Sequence, residues 1–176
     1  MISQTHGTLT IEGCTAPALA ERYGTPLYVY SRGAIEAAWR AYDEAFAGFE
    51  HQICYAVKAN GSLAILQLLA RLGSGFDIVS GGELARVLRA GGDPGRVVFS
   101  GVGKTEAEVE QALEAGILAF NIESEAELER ISAVAIRRAQ RAPISLRVNQ
   151  NADARTHPYT STGLKENTSA IDIHAA

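Results

Sequence analysis

One strand-helix unit recurs along this chain from residue 53 onward, and it restricts the fold more than any other feature. Apolar, β-branched runs suited to buried strands begin near Ile53, Phe76, Val97, Leu118 and Ile144, roughly every 21 to 26 residues. Between these runs, apolar residues recur at the spacing of one helix face. Strands that alternate with single helices and short loops predict a parallel sheet, and therefore an α/β protein.

The ends of the predicted helices are also marked in the sequence. Capping boxes predict helix starts at Ser80-x-x-Glu83, Thr105-x-x-Glu108 and Ser124-x-x-Glu127, and glycines predict helix ends at Gly73, Gly91 and Gly116. Upstream of the repeat, the pattern predicts a lone strand at Thr8–Ile11, a helix at Ala16–Tyr23, a strand at Leu27–Tyr30, and a helix from Gly33 to about Phe46 capped by Ser31.

Two architectures fit five consecutive strand-helix units. Five units are more than half of a (β/α)8 TIM-like barrel, which takes ~250 residues. A doubly wound open sheet uses the same units, and their spacing alone does not separate the two folds.

Composition excludes several classes of partner. The 176 residues carry 16 Lys+Arg against 20 Asp+Glu, a net charge of −4, with no basic cluster, so we expect neither nucleic acid nor a membrane surface as partner. With two cysteines, a polar start without a signal peptide, and no apolar stretch of ~20 residues, the chain is predicted to be cytoplasmic. No metal site is predicted.

Lys58 is the first candidate functional residue. It follows the apolar run from Ile53 to Val57, and Gly61 and Ser62 then open a helix. A lysine at the exit of a core strand can bind the aldehyde of pyridoxal phosphate through a Schiff base. The alternative is a rim lysine whose stem packs while its ammonium group stays in water.

Asp77 and Arg147 are charged residues in otherwise apolar strands. Because burying an unpaired charge is costly, Asp77 needs a partner, and Lys58 on the neighbouring strand is a plausible one. The planar guanidinium of Arg147 suits a phosphate, a phenolate or a carboxylate. For both residues, a purely structural ion pair explains the charge equally well.

Three further motifs favour structural interpretations. The run Ser100-Gly101-Val102-Gly103-Lys104-Thr105 invites comparison with a nucleotide-binding P-loop, but Val98 stands where the first P-loop glycine belongs. A tight turn with Thr105 as helix cap is favoured instead. The capping box accounts for Glu83, and His157 is a lone loop histidine.

Taken together, these runs resemble the diaminopimelate decarboxylases, within the pyridoxal-phosphate decarboxylases that share the alanine racemase-like barrel. The resemblance covers about residues 8 to 167. It is carried by Tyr55-Ala56-Val57-Lys58-Ala59-Asn60, Gly73 to Ser80, Glu83-Leu84, Val98 to Thr105, Phe120 to Ser124, Leu146 to Asn149 and His157 to Asn167.

The resemblance implies a cofactor, a substrate and site roles. The cofactor is pyridoxal 5'-phosphate, bound covalently by Lys58, with Asp77 beside its ring and Arg147 near its phenolic oxygen. The reaction is decarboxylation of meso-diaminopimelate to lysine and CO2, with the loop from His157 to Gly163 near the substrate. The intact family is expected to form homodimers.

The resemblance also predicts a truncated chain. We expect an N-terminal segment at residues 1–30, a truncated cofactor-binding barrel with about five of eight units at 31–167, and an unmatched tail at 168–176. The strand Thr8–Ile11 would join a β-domain that this chain lacks, and activity of the chain alone is doubtful. The alternatives are an ornithine or arginine decarboxylase of the same group, or a cofactor-binding remnant without catalysis.

Overall fold

The computed structural model describes residues 2–5, 7–149 and 171–172. The chain divides into two compact units, residues 1–53 and residues 54–176. This structural division differs from the boundary predicted at residue 30, which stays a prediction. None of the helices in the described ranges has the length and apolar character that crossing a bilayer requires.

The first unit contains a small antiparallel sheet and two helices. Its elements are β1 (Ile2–Thr5), β2 (Thr8–Ile11), β3 (Cys14–Thr15), α1 (Ala16–Tyr23) and α2 (Arg32–Ala45). The strand order is β1-β2-β3, so the predicted lone strand Thr8–Ile11 is the central strand and has a partner on each side. Its pairing with β1 covers all four residues, whereas its pairing with β3 covers only Thr10 and Ile11. That this strand joins a β-domain stays a prediction.

The two predicted helices of this unit are confirmed, but the predicted strand Leu27–Tyr30 is wrong. Thr15 caps α1, Ser31 caps α2, and Gly24 ends α1 with a φ of 79°. Residues 27–30 belong to no helix or strand, and the side chain of Tyr28 is 87% exposed. An extended segment forms a strand only where a neighbouring strand satisfies its backbone N–H and C=O groups. The three-stranded sheet of this unit forms without residues 27–30.

Glu12 links the turn after β2 to the start of α2. Its Oε1 accepts hydrogen bonds from the Ser31 hydroxyl at 2.5 Å and from the Gly33 amide at 2.8 Å. The Ser31 hydroxyl first, and the Gly33 amide to a smaller extent, contribute to lowering the pKa of Glu12 to about 2.

The second unit confirms the five predicted strands and the helices between them. Its elements are β4 (Cys54–Ala56), α3 (Leu63–Arg71), β5 (Gly75–Ile78), α4 (Gly81–Arg89), β6 (Val97–Phe99), α5 (Glu106–Ala115), β7 (Ala119–Ile122), α6 (Glu125–Arg137) and β8 (Ile144–Leu146). Two short strands follow, β9 (Val148–Asn149) and β10 (Ile171–Asp172), which pair in parallel.

The strand order distinguishes between the two predicted architectures. All four pairings are parallel, and the order β4-β5-β6-β7-β8 follows the chain without a reversal. A doubly wound sheet reverses direction at a switch point, whereas a barrel wall adds each strand beside the last. The helices α3 to α6 pack side by side in the same sequence. The described sheet therefore has the winding of a barrel wall.

The core lies between this sheet and its helices. Alternate residues of the three central strands are fully buried: Phe76, Ile78, Val97, Phe99, Phe120 and Ile122. They meet buried helix residues that include Leu66, Leu84, Val87, Val109 and Ile131. Since side chains alternate between the faces of a strand, the residues between them lie on the opposite face.

Candidate functional site

Polar side chains occupy the face of the sheet opposite the helices. Asp77, Ser100, Asn121 and Ser145 lie on or directly after four neighbouring strands. The register pairs Asn121 with Ser145, and the Ser100 amide continues the ladder by donating to the Ile78 carbonyl at 2.8 Å. Because these strands are parallel, all four residues lie toward their carboxyl ends, the edge where α/β sheets place their sites.

A hydrogen-bond chain crosses three of these strands. The Ser100 hydroxyl donates to Asp77 Oδ1 at 2.5 Å and accepts from Asn121 Nδ2 at 2.8 Å. The partner of Asp77 is therefore the hydroxyl of the residue directly after the next strand. Within the described residues, no ion pair joins Asp77 to Lys58, so the predicted Lys58–Asp77 pair is not formed.

A second polar group centres on Glu123, whose side chain is 5% exposed. Its Oε1 accepts from the Gly101 amide at 2.9 Å, and its Oε2 accepts from Arg147 Nη1 at 2.7 Å. The Arg147 amide also donates to the Ile122 carbonyl at 2.9 Å, which fixes the start of this side chain beside Glu123. The carboxylate partner predicted as one option for Arg147 is thus Glu123, which sequence reasoning had not singled out.

A cavity of about 320 Å³ separates the two polar groups. Its lining residues are Ser100, Asn121, Glu123, Ser145 and Arg147. The Arg147 side chain is 48% exposed, so its ion pair with Glu123 leaves it partly accessible. The volume is at the lower end of the range for small-molecule sites, and its donors and acceptors converge on one space.

Lys58 lies at the same edge of the sheet but, among the described residues, takes no part in the hydrogen bonds of either polar group. It is in a short 3-10 turn, Val57–Ala59, directly after β4. The register pairs Ala56 with Asp77, which places Lys58 two residues beyond the level of Asp77. The side chain is exposed, and in the part of the chain that the structure describes it enters no ion pair.

Lys104 has a different role from the one its motif suggests. Its ammonium group is buried and donates three hydrogen bonds, to the Gly101 carbonyl at 2.6 Å, the Asn121 carbonyl at 2.9 Å and Glu127 Oε1 at 2.6 Å. All three protons are used, so none is free for a nucleotide phosphate. The favoured interpretation of a helix-capped turn is confirmed, since Thr105 and Glu108 form a complete capping box.

Glu83 also has the structural role predicted from its capping box. Ser80 accepts from the Glu83 amide at 3.2 Å, and Glu83 Oε2 accepts from the Val79 amide at 2.8 Å. The reciprocal bond therefore reaches one residue further back than a standard capping box. The predicted loop with His157 lies outside the described residues.

Comparisons with known proteins agree on one family. Residues 32–175 match the family described as "Pyridoxal-dependent decarboxylase, pyridoxal binding domain". The diaminopimelate decarboxylase of Pseudomonas aeruginosa is 60% identical over 168 residues, covering 96% of this chain and 40% of that protein. This chain thus spans about two fifths of the length of such relatives.

Solved structures of similar proteins also share the fold. Diaminopimelate decarboxylase from Helicobacter pylori, complexed with L-lysine, is 50% identical with a TM-score of 0.84, over 89% of this chain and 39% of that one. Diaminopimelate decarboxylase from M. jannaschii, in co-complex with L-lysine, is 40% identical with a TM-score of 0.90, over 100% of this chain and 42% of that one.

Proposed function

Because this chain belongs to the pyridoxal-dependent decarboxylase family, we propose that it is the cofactor-binding part of a diaminopimelate decarboxylase. The reaction is the loss of CO2 from meso-diaminopimelate, which leaves lysine. The curated relatives at 60% and 57% identity bear that name, and the two solved structures described above were determined with L-lysine bound. Their names favour this substrate over ornithine or arginine.

The observation that carries the proposal is the position of Lys58 relative to the polar face. Its exposed amine stands at the carboxyl edge of the sheet, where Asp77 and the cavity beside Arg147 also lie. These groups match the chemistry of pyridoxal phosphate. An amine suits its aldehyde, a cation suits its phenolic oxygen, and a carboxylate suits the positively charged ring.

The phosphate group requires other donors. The amino ends of α4, α5 and α6 lie at the same edge, and helix amino ends commonly bind phosphate. Here each end is capped by the chain's own side chains, with Ser80, Thr105 and Ser124 as caps and Glu83, Glu108 and Glu127 as carboxylates. We infer that the phosphate binds elsewhere than at these three helices.

Each residue of the site has a definite task in this proposal. Lys58 would hold the cofactor through its exposed amine. Asp77, held by the Ser100 hydroxyl, presents a negative charge to the ring, and Arg147, held by Glu123, presents a positive charge to the phenolic oxygen. When bound, pyridoxal phosphate supplies an electron sink for the carbanion left by CO2.

The finer architecture is part of the same proposal. The five parallel strands with their helices are five units of an alanine racemase-like (β/α)8 barrel, and the outer strand β8 is exposed along its length. The complete protein would close the barrel beyond this strand and act as a homodimer. The proposed location is the cytoplasm.

The first test is covalent labelling of the chain. The purified protein is mixed with pyridoxal phosphate, reduced with borohydride and digested, and the modified lysine is identified by mass spectrometry. We expect labelling at Lys58 and its loss in Lys58→Arg, which keeps the charge but forms no Schiff base. Labelling confined to Lys104 or Lys165, or equal labelling in Lys58→Arg, would contradict the assignment.

The second test measures the reaction. Residues of this chain replace the matching segment of the Pseudomonas aeruginosa relative, and CO2 release is followed with meso-diaminopimelate, ornithine and arginine. We expect turnover of meso-diaminopimelate alone, lost in the Lys58→Arg chimera. Turnover of ornithine or arginine instead would identify a different decarboxylase, and cofactor labelling without turnover would indicate a non-catalytic binding module.

A further inference from the structure

The buried ion pair between Lys104 and Glu127 contacts the backbone of residues that belong to the candidate site. The side chains of Lys104 and Glu127 are 0% and 4% exposed, and their charged atoms are 2.6 Å apart. The same ammonium group donates to the backbone carbonyls of Gly101 and Asn121. Lys104 therefore joins the loop after β6 to strand β7, through bonds to main-chain atoms of both.

Glu127 extends this connection to a third position. Its Oε1 accepts from Lys104, and its Oε2 accepts from the Glu123 amide at 2.8 Å. The pair thus fixes the backbone on both sides of Ile122. The two residues held in this way, Asn121 and Glu123, are two of the five residues that line the cavity.

We propose that Lys104 and Glu127 are positioning residues of the site, which set the place of Glu123 and, through it, of Arg147. Glu123 holds Arg147 at 2.7 Å and the Gly101 amide at 2.9 Å, so a shift of its backbone moves both partners. The inference rests on the proposed function, since its measured consequence is the affinity for pyridoxal phosphate.

The geometry favours positioning over a purely stabilising role. A buried ion pair adds little net stability over apolar residues of the same volume, because desolvation of the two charges offsets their attraction. The bonds of this pair, in contrast, end on three main-chain atoms: the Gly101 carbonyl in the loop after β6, the Asn121 carbonyl in β7 and the Glu123 amide directly after β7. Replacing both residues by apolar ones removes those bonds and leaves no buried charge unpaired.

The test compares two ion pairs that both join α5, or the turn before it, to α6. One variant is Lys104→Met with Glu127→Leu. The matched control is Arg137→Met with Glu106→Leu, which removes an exposed pair whose atoms are 2.7 Å apart, together with the longer Arg137–Glu110 contact at 3.4 Å. For each protein, the stability to urea, the amide hydrogen exchange of Gly101 and Glu123, and the dissociation constant for pyridoxal phosphate are measured.

We expect the control to match the wild type in all three measurements. The double variant at Lys104 and Glu127 should remain folded, exchange the Glu123 amide faster, and bind pyridoxal phosphate about tenfold more weakly or worse. Unchanged exchange at Glu123 together with unchanged affinity would overturn the inference. A wild type that does not bind pyridoxal phosphate would refute the proposed function, and the exchange rates would still report whether the pair holds Glu123.

If the double variant does not fold, Glu127→Gln decides the matter. Its side chain presents one oxygen in place of two, so it cannot serve both Lys104 and the Glu123 amide as the carboxylate does. We expect the same faster exchange and weaker cofactor binding in this variant. Wild-type values for both would count against a positioning role.

Discussion

The two faces of the five-stranded sheet differ in what their side chains contact. On the face toward the helices, Phe76, Phe99 and Phe120 are fully buried among apolar residues. On the opposite face, side chains at the alternate positions, among them Asp77 and Asn121, are partly exposed, and both of these are hydrogen-bonded to the Ser100 hydroxyl. One strand thus contributes both to the core and to the candidate site, at positions a single residue apart.

This difference separates stability from function within each strand. Apolar burial stabilises a fold in proportion to area, whereas a polar network in a partly open cavity adds little once solvation is counted. We therefore expect substitutions on the helix-facing side to change the free energy of unfolding. Substitutions on the polar face should chiefly change cofactor binding.

The largest effect is expected at Phe120. Its ring is fully buried and lies 6.0 Å from that of Phe99, with an interplanar angle of 25°. Phe120→Ala should lower the free energy of unfolding by about 4 kcal/mol, because it leaves a cavity between sheet and helices. Urea denaturation measures this loss, and Phe120→Leu, which refills most of the space, should lose clearly less. A loss below about 1 kcal/mol in Phe120→Ala would refute the assignment of this face to the core.

The next largest effect is expected at Glu108, a polar residue on the helix side that serves stability. Its carboxylate accepts hydrogen bonds from the amide of the buried Gly81 at 2.7 Å and from the Thr105 amide at 3.0 Å. These two hydrogen bonds, that of Gly81 first, lower the pKa of Glu108. Glu108→Ala should cost about 2 kcal/mol near pH 7, since the Gly81 amide loses its acceptor.

The pH dependence of the Glu108 contribution gives a second measurement. Because the folded pKa lies below the unfolded one, this stabilisation is complete above the unfolded value of 4.5 and is lost as the pH falls through the folded value. The difference in unfolding free energy between wild type and Glu108→Gln should therefore grow as the pH rises from the acid side toward 4.5, and level off above that value. A difference that stays constant over this range would contradict the role assigned to the carboxylate.

Local sequence signals predicted the strands and helices of the sheet, but they did not predict the side-chain bonds that depend on strand register. Apolar periodicity and capping residues predicted all five strands of the sheet, with its helices, because those signals lie within each element. The bonds from Ser100 to Asp77 and from Lys104 to Glu127 each span 23 residues. They follow from how parallel strands align, which local patterns do not determine. The segment Leu27–Tyr30 shows the opposite error, since strand propensity alone does not supply a pairing partner.

A smaller effect is expected at Asn121, one residue from Phe120 on the same strand. Its amide nitrogen donates to the Ser100 hydroxyl at 2.8 Å in a partly exposed position. Asn121→Ala should lower the free energy of unfolding by only about 1 kcal/mol. It should weaken pyridoxal phosphate binding, because Ser100 and Asp77 lose an ordering contact. Urea denaturation and cofactor titration measure the two effects, and a stability loss as large as that of Phe120→Ala would remove the contrast between the faces.

The smallest effect on stability is expected at Lys58, where the expected effect on function is greatest. The side chain is exposed and forms no ion pair in the described ranges, so Lys58→Gln should change the free energy of unfolding by less than ~0.5 kcal/mol. The same substitution should abolish the visible absorbance that covalently bound pyridoxal phosphate gives to the wild type, because an amide cannot form a Schiff base. The control is Arg86→Gln, which loses an exposed hydrogen bond to the Gly61 carbonyl. This variant should keep the absorbance. A strong loss of stability in Lys58→Gln would instead assign this lysine to the packing of the rim and leave the Schiff base without its residue.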